Sequence, residues 1–356
     1  MTEDDQAERL NCSHILPGHR PVDVRELLAT LAAHPMAARS PDFYGMGGAV
    51  AELEAQVAAL LGKERGLFFV NGMTAQMTVL RRHADLAGTP NVVIHPLSHM
   101  DVDEANGLER AAGLTPVRLG RHAPFALDAL EQVSDPLAAV VLELPLRRAG
   151  YLLPPIEEVR AIADHCRARG IALHIDGARL WEAAAGYGVE LADLAELGDS
   201  VYVSLYKGLG GLGGAVIAGS ADFIQSLAIW KGRFGGNMFT AFPYALAGLA
   251  GLERHLPRMP AYVARARELA ALLARDFRLN PVVPHVNAFQ LLLPGTREAL
   301  VARNRAFAQT RGVWLWNTLV EAPIAGQTIA EVVIGESSER FTMEEAAAWI
   351  SAFSNQ

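Results

Sequence analysis

DSVYVSLYKGLGG (199–211) joins a short apolar run, SVYVSL (200–205), to a lysine, Lys207, set in a glycine-rich turn. ALHIDGAR (172–179) repeats the design with an acid: IALHI (171–175) ends at Asp176, 31 positions before Lys207. A charge delivered at the end of a buried strand is costly unless something pairs with it. A cofactor carrying an aldehyde and a pyridine nitrogen, as pyridoxal 5'-phosphate does, would accept both residues. The amine forms a Schiff base and the carboxylate keeps the ring nitrogen protonated. The plain alternative is two surface charges beside turns, and finding both residues in such turns weighs against it.

Outward from this pair, short β-rich runs alternate with helical stretches from about residue 46 to 218. The runs are GLFFV (66–70), NVVIH (91–95), AAVVLEL (138–144), IALHI, SVYVSL and GGAVIAG (213–219). Between them lie VAELEAQVAALLG (50–62), TAQMTVLRRHADLAG (74–88), IEEVRAIADHCRARG (156–170) and LADLAELG (191–198). This alternation predicts an α/β domain with a mostly parallel central sheet and helices on both faces. Ligands of such sheets bind beyond the C-terminal strand ends, where Asn71, His99, Asp176 and Lys207 fall. Residues 239–277 read as long helices broken at Pro257 and Pro260. NAFQLLL (287–293) and AEVVIG (330–335) read as strands, and a last helix opens with Thr342 and Glu345 at capping-box spacing. The expected division is an N-terminal arm (1–45), a large cofactor-binding domain (46–246) and a smaller α/β C-terminal domain (247–356).

Bulk properties narrow the class. The 356 residues carry 31 Lys plus Arg against 39 Asp plus Glu, a net charge of −8. Nothing in that balance draws the chain to nucleic acid or to anionic membranes. No segment approaches ~18 uninterrupted apolar residues, and MTEDDQAERLN (1–11) lacks the pattern of a secretory signal. The expected setting is the cytoplasm, with a small-molecule substrate and no membrane or nucleic-acid partner. Cys12 and Cys166 have no ligand spacing around them, so neither a disulfide framework nor a metal site is expected.

Other segments carry chemistry beside plainer readings. NGMTAQ (71–76) follows an apolar run and opens a helix, whose N-terminal N–H groups form a ready phosphate site; its alternative is an ordinary turn. GLGGLGG (208–214) leads into a strand, whereas a dinucleotide loop opens a helix. His99, in HPLSHMDVDE (95–104), could stack on a flat ring, shuttle protons near neutral pH or simply hydrogen-bond in its loop. Arg179 could fork onto a carboxylate or pair at the surface. Tyr44, in YGMGG (44–48), faces a pocket or packs. Lys231 and Arg233, in WKGRFGGNM (230–238), serve an anion or solvent.

Taken together, DFYGMGGAVAELEAQVAALLGKE (42–64), HIDGARLWEAA (174–184) and DSVYVSLYKGLGG resemble the threonine aldolase family, within the β-eliminating lyases of pyridoxal-phosphate fold type I. The likeness runs from about Asp42 to Ala250 and more weakly to the end. It implies that Lys207 is joined to the cofactor, that Asp176 meets the ring nitrogen and that His99 stacks on the ring. Asn71, Gly72, Met73 and Ser204 would line the cofactor, the first three around its phosphate. Arg179 would hold the substrate carboxylate, with Glu104 near the active-site histidine. It also implies a homodimer or homotetramer whose sites lie at the subunit interface, with Tyr44 and the 231–238 loop contributing. The chemistry implied is retro-aldol cleavage of a β-hydroxy-α-amino acid to glycine and an aldehyde.

The chain departs from that pattern at several points. Asn71-Gly72-Met73 stands where Ser-Gly-Thr is usual, Tyr206 replaces the serine before the lysine, and Phe239 replaces an arginine. LELPLRR (142–148) lacks a histidine that meets the β-hydroxyl in threonine aldolases. A C-terminal arginine has no counterpart near AEVVIG, and Ser13, His14 or Arg20 are candidates to replace missing contacts. Side chains bulkier or more apolar than threonine's fit this pattern. Other pyridoxal-phosphate reactions (β-elimination, racemisation, transamination) share the same cofactor chemistry, and a non-catalytic homologue is the reading from a different class.

Overall fold

The computed structural model describes residues 3–355. Two compact units emerge: residues 31–257, and residues 258–355 together with the described part of 1–30. In the larger unit the alternation read from sequence forms a seven-stranded sheet. Its strands are β1 (Arg65–Phe69), β2 (Asn91–Ile94), β3 (Thr115–Arg118), β4 (Ala139–Glu143), β5 (Ala172–Gly177), β6 (Ser200–Ser204) and β7 (Ala215–Gly219). They lie in the order β1-β7-β6-β5-β4-β2-β3. Pairs from β6 across to β3 are parallel, and β7 runs antiparallel to both its neighbours. The inner strands are buried along nearly their whole length. That is why they read as continuous apolar runs rather than alternating ones. Strand β3 escapes such a reading because TPVR is short and contains Pro116. It lies at the sheet edge, where a missing N–H leaves no ladder bond unmade.

The helices that frame the strand ends are α1 (Gly48–Leu60), α2 (Gly72–Ala87), α3 (His99–Val102), α4 (Ile156–Arg169), α5 (Leu180–Tyr187), α6 (Ala228–Arg233) and α7 (Phe242–His255). Helix α2 starts where expected, because the Asn71 side chain accepts a bond from Thr74 N at 3.0 Å. Ala75 and Val79 of α2 pack on Phe69, Tyr202 and Ile217 of the sheet. This apolar seam sets the first turn of α2 above the strand ends.

The smaller unit carries a four-stranded antiparallel sheet in the order Leu319–Glu321, Gln327–Val333, Ala288–Pro294, Arg278–Asn280. Helices Met259–Leu273, Arg297–Arg311 and Met343–Ser354 accompany it. The capping box at Thr342 and Glu345 forms as its spacing predicts. Its N-terminal segment supplies helix Glu3–Asn11 and strand His14–Ile15, which pairs in parallel with Val313–Trp314. The helical run after residue 239 breaks at the expected prolines: α7 ends at His255, Leu256–Arg258 forms a 3-10 turn, and Pro260 opens the next helix. No helix among the described residues is long and apolar enough to cross a membrane.

Candidate active site

Three adjacent strands place Glu143, Asp176 and Tyr202 in register across the sheet. In-register residues of parallel strands share a face, so two acids and a phenol form one row at the C-terminal strand ends. Asp176 is fully buried. Its Oδ2 lies 3.0 Å from Nε2 of His99, and its Oδ1 accepts from Ala178 N at 3.2 Å. The other ring nitrogen of His99 faces Glu104 at 3.3 Å, and the backbone N of His99 donates to Glu143 at 3.3 Å.

Electrostatics follow from this packing. Burial alone would strip the proton from His99. Asp176, with help from Glu104 and Glu143, overcomes that and raises the imidazole to about 10. This packing between acids favours the cationic form of His99. Burial would push the Asp176 carboxyl up, yet His99, Lys207 and His174 hold it below the usual carboxylate range. Glu143 goes the other way, because burial and the Asp176 charge both favour its neutral form. Lys207 has a lowered pKa, mainly from burial and from Arg179, against the opposing pull of Asp176. A lowered amine pKa makes the free nucleophile more available.

Arg179 stands at the N-cap position of α5 and donates to Glu182 at 3.1 Å, with its guanidinium 5.4 Å from the Tyr151 ring. Glu182 is fully buried and sits against Gly208, beside Lys207, well inside the reach of any side chain at that position. Burial raises the Glu182 carboxyl. Ser204 ends β6, buried, and accepts from Tyr206 N at 3.4 Å. Gly72 opens α2 directly over the Tyr202 hydroxyl, where a Cβ would collide with it. Glycine keeps the helix terminus pressed onto the sheet. Met73 packs on the cluster around Leu80 and Met100.

The fold thus joins His99, Glu104 and Asp176 by direct contact, puts Lys207 within reach of the Asp176 charge, and links Arg179 to it through Glu182. Tyr44 is different. Its ring meets Phe43 at 4.9 Å and Phe239 at 5.5 Å, and no contact among the described residues joins it to Asp176 or His99. Glu143 and Glu182 were missed from sequence. Each is a lone acid in an apolar run, AAVVLEL and LWEAA, the same signal that exposed Asp176.

A buried carboxylate in line with a flat-faced imidazole, a low-pKa lysine and a helix N-terminus stripped of side chain at Gly72 is a donor set that fits pyridoxal phosphate. Asp176 would meet its ring nitrogen, Lys207 its aldehyde and the N–H groups of α2 its phosphate. The protein is a pyridoxal-phosphate enzyme of fold type I.

The family is narrower than the fold. A sequence model of the β-eliminating lyases matches residues 30–290. Low-specificity L-threonine aldolase 1 of Arabidopsis thaliana is 29% identical over 259 residues, covering 69% of this chain and 72% of its own. Aldolase vrtJ of Penicillium aethiopicum is 35% identical over 241 residues, covering 64% and 60%. Among solved structures, a candidate L-allo-threonine aldolase of Listeria monocytogenes superimposes with a TM-score of 0.91 at 31% identity, covering 98% of both chains. Serine palmitoyltransferase of Sphingomonas wittichii, at 16% identity and a TM-score of 0.72, shares the fold alone. The chain belongs to the β-eliminating lyase family, among its threonine aldolases.

Proposed function

We propose that this enzyme cleaves a β-hydroxy-α-amino acid to glycine and an aldehyde. The observation that carries the reading is the Asp176–His99 pair facing a low-pKa Lys207, in a chain of the threonine aldolase family. When bound, pyridoxal phosphate supplies an aldehyde to the Lys207 amine and an electron-withdrawing ring to the substrate's α-carbon. The residues of the chain set up that exchange. Asp176, kept ionised, holds a proton at a ring nitrogen. His99, kept protonated by Asp176 and Glu104, offers a flat cationic face. Arg179, braced by Glu182 and Tyr151, grips the substrate carboxylate with a planar fork.

The charge of Arg147 acts on both Lys207 and Tyr206. We assign it as the second cation for that carboxylate, in place of the C-terminal arginine that has no counterpart near AEVVIG. Leu146, buried, takes the neighbourhood of the missing histidine, which favours substrates with apolar side chains. The reading also includes assembly into a homodimer or homotetramer in the cytoplasm. Phe43, Tyr44, Met46 and Phe239 are all more than half exposed and form an apolar patch suited to a second copy. Both cysteines are free thiols, as a reducing compartment requires.

Product analysis tests the reaction. The cofactor-loaded enzyme, given threonine and β-hydroxy-α-amino acids of increasing side-chain size, should release glycine and an aldehyde in equal amounts. A keto acid with ammonia in their place would assign it to β-elimination.

A further inference from the structure

The reaction proposed above needs a group at the substrate's β-oxygen. The segment LELPLRR has no histidine to supply it, and Leu146 there is apolar and buried. The side chains already placed in the site are committed elsewhere. His99 lies between Asp176 and Glu104, Glu143 accepts the backbone N–H groups of His99 and Arg147, and Glu182 accepts from Arg179. The Tyr202 hydroxyl lies beneath Gly72. Lys207 is taken by the cofactor.

One polar side chain is left over. Tyr206 directly precedes Lys207 in the turn that follows β6. Three bonds fix that turn: Leu205 N to Gly214 O at 3.1 Å, Gly211 N to Leu205 O at 3.0 Å, and Tyr206 N to Ser204 Oγ at 3.4 Å. Leu205 is fully buried and anchors the turn, whereas Tyr206 is 43% exposed and open to an incoming ligand. Its hydroxyl bonds to no described residue.

The charges that act on the phenol locate it. Asp176, Arg179 and Arg147 act on both Tyr206 and the Lys207 amine, and Glu104, which holds the His99 ring, acts on Tyr206 as well. Arg147 directly follows Leu146. The phenol therefore shares one neighbourhood with the lysine, with the two arginines assigned to the carboxylate and with the segment of the missing histidine. Burial, then Glu104 and Asp176, raise the phenol above an ordinary tyrosine against the pull of the arginines. It keeps its proton at neutral pH and serves as a donor.

We infer that the Tyr206 hydroxyl donates a hydrogen bond to the substrate's β-oxygen and so orients the carbon–carbon bond that breaks. The inference rests on the aldolase reading above and names the contact which that reading leaves open. Holding the β-oxygen in place fixes the reacting bond, and a preorganised donor stabilises the charge that builds on that oxygen. No proton leaves Tyr206 in this role. A donor fixed in space meets the β-oxygen of one Cβ epimer better than that of the other, so Tyr206 also sets the preference between threonine and allo-threonine.

Tyr206→Phe removes the hydroxyl and keeps the ring. Cofactor-loaded wild type and variant are first matched by circular dichroism and then compared in two measurements. Titrations followed by the cofactor's visible absorption give the affinities for alanine, which lacks a β-oxygen, and for serine, which has one. Steady-state kinetics give kcat/KM for threonine and allo-threonine. The variant should bind alanine as wild type does and serine more weakly. Its kcat/KM for the preferred epimer should fall about ten- to a hundredfold, narrowing the ratio between epimers. Equal weakening of alanine and serine makes Tyr206 a structural residue and overturns the inference, and so does an unchanged epimer ratio. A wild-type enzyme that releases a keto acid and ammonia in place of glycine and an aldehyde overturns the aldolase reading, and the inference with it.

Discussion

The Nε2 of His99 sits 3.0 Å from Oδ2 of Asp176, and Asp176 has no exposed surface. Each residue holds the other in its charged form. Substituting Asp176→Asn removes the charge that keeps both His99 and the cofactor's ring nitrogen protonated. Turnover should fall about a hundredfold or more, with cofactor still bound through Lys207. Retention of near-normal kcat by that variant would show that the carboxylate is structural.

Lys207→Ala should abolish turnover and remove the visible band that arises from its bond to the cofactor. Cofactor then binds reversibly and is lost on dialysis. A variant that kept the wild-type spectrum would displace Lys207 from its role.

Glu182 braces Arg179 from a fully buried position. Glu182→Ala should raise KM about ten- to a hundredfold while changing kcat less, because the carboxylate grip loosens before the chemistry does. Glu182→Gln keeps an oxygen for the guanidinium and should recover most of the loss. A fall in kcat alone would place Glu182 elsewhere in the mechanism.

Two buried histidines make the fold sensitive to acid. Burial pushes His83 down to about 3 and His174 down to about 4. Ser200 joins them, 2.9 Å from His83 and 2.8 Å from His174. In the unfolded chain both take up protons near pH ~6.5. Below that pH the unfolded state binds more protons than the folded one, so stability drops as pH falls from ~6.5 towards ~4. The slope approaches about 1.4 kcal/mol per pH unit for each histidine. Urea unfolding at pH ~7 and ~5 measures it, and His83→Gln should lose one histidine's share. An unchanged pH slope in that variant would contradict the assignment.

Phe239 packs edge-on against Phe43 and Tyr44 and remains largely exposed. Placing a charge there with Phe239→Glu should dissociate the oligomer proposed above, as read by light scattering. Monomeric wild type, or an unaltered mass for the variant, would remove the patch from the interface.

Much of the larger unit was legible because its signals are local. Six apolar runs between helical patterns announce β1, β2 and β4 to β7, whereas β3 was hidden by its proline and its place at the edge. Asn71 announced a cap, and Thr342 with Glu345 a capping box. Tyr44 was expected near the catalytic residues, yet within one chain its partners are Phe43 and Phe239. Glu143 and Glu182 carried the same signal as Asp176 but stood outside a glycine-rich turn, so nothing local set them apart.

The sequence by itself determined the α/β class, the runs that become strands, and the placing of Asp176 and of Lys207 at or just beyond strand ends, since each depends on residues close along the chain. Tertiary structure decided which groups act on one another. Strand order sets β4, β5 and β6 side by side, which brings Glu143 against the Asp176–His99 pair, and the acids gathered there favour the protonated imidazole. It also buries Lys231 beside Thr74, 157 positions away. Periodicity reports how a segment meets the core. It carries no record of which distant segment lies next to it, and charges buried together depend on that neighbour.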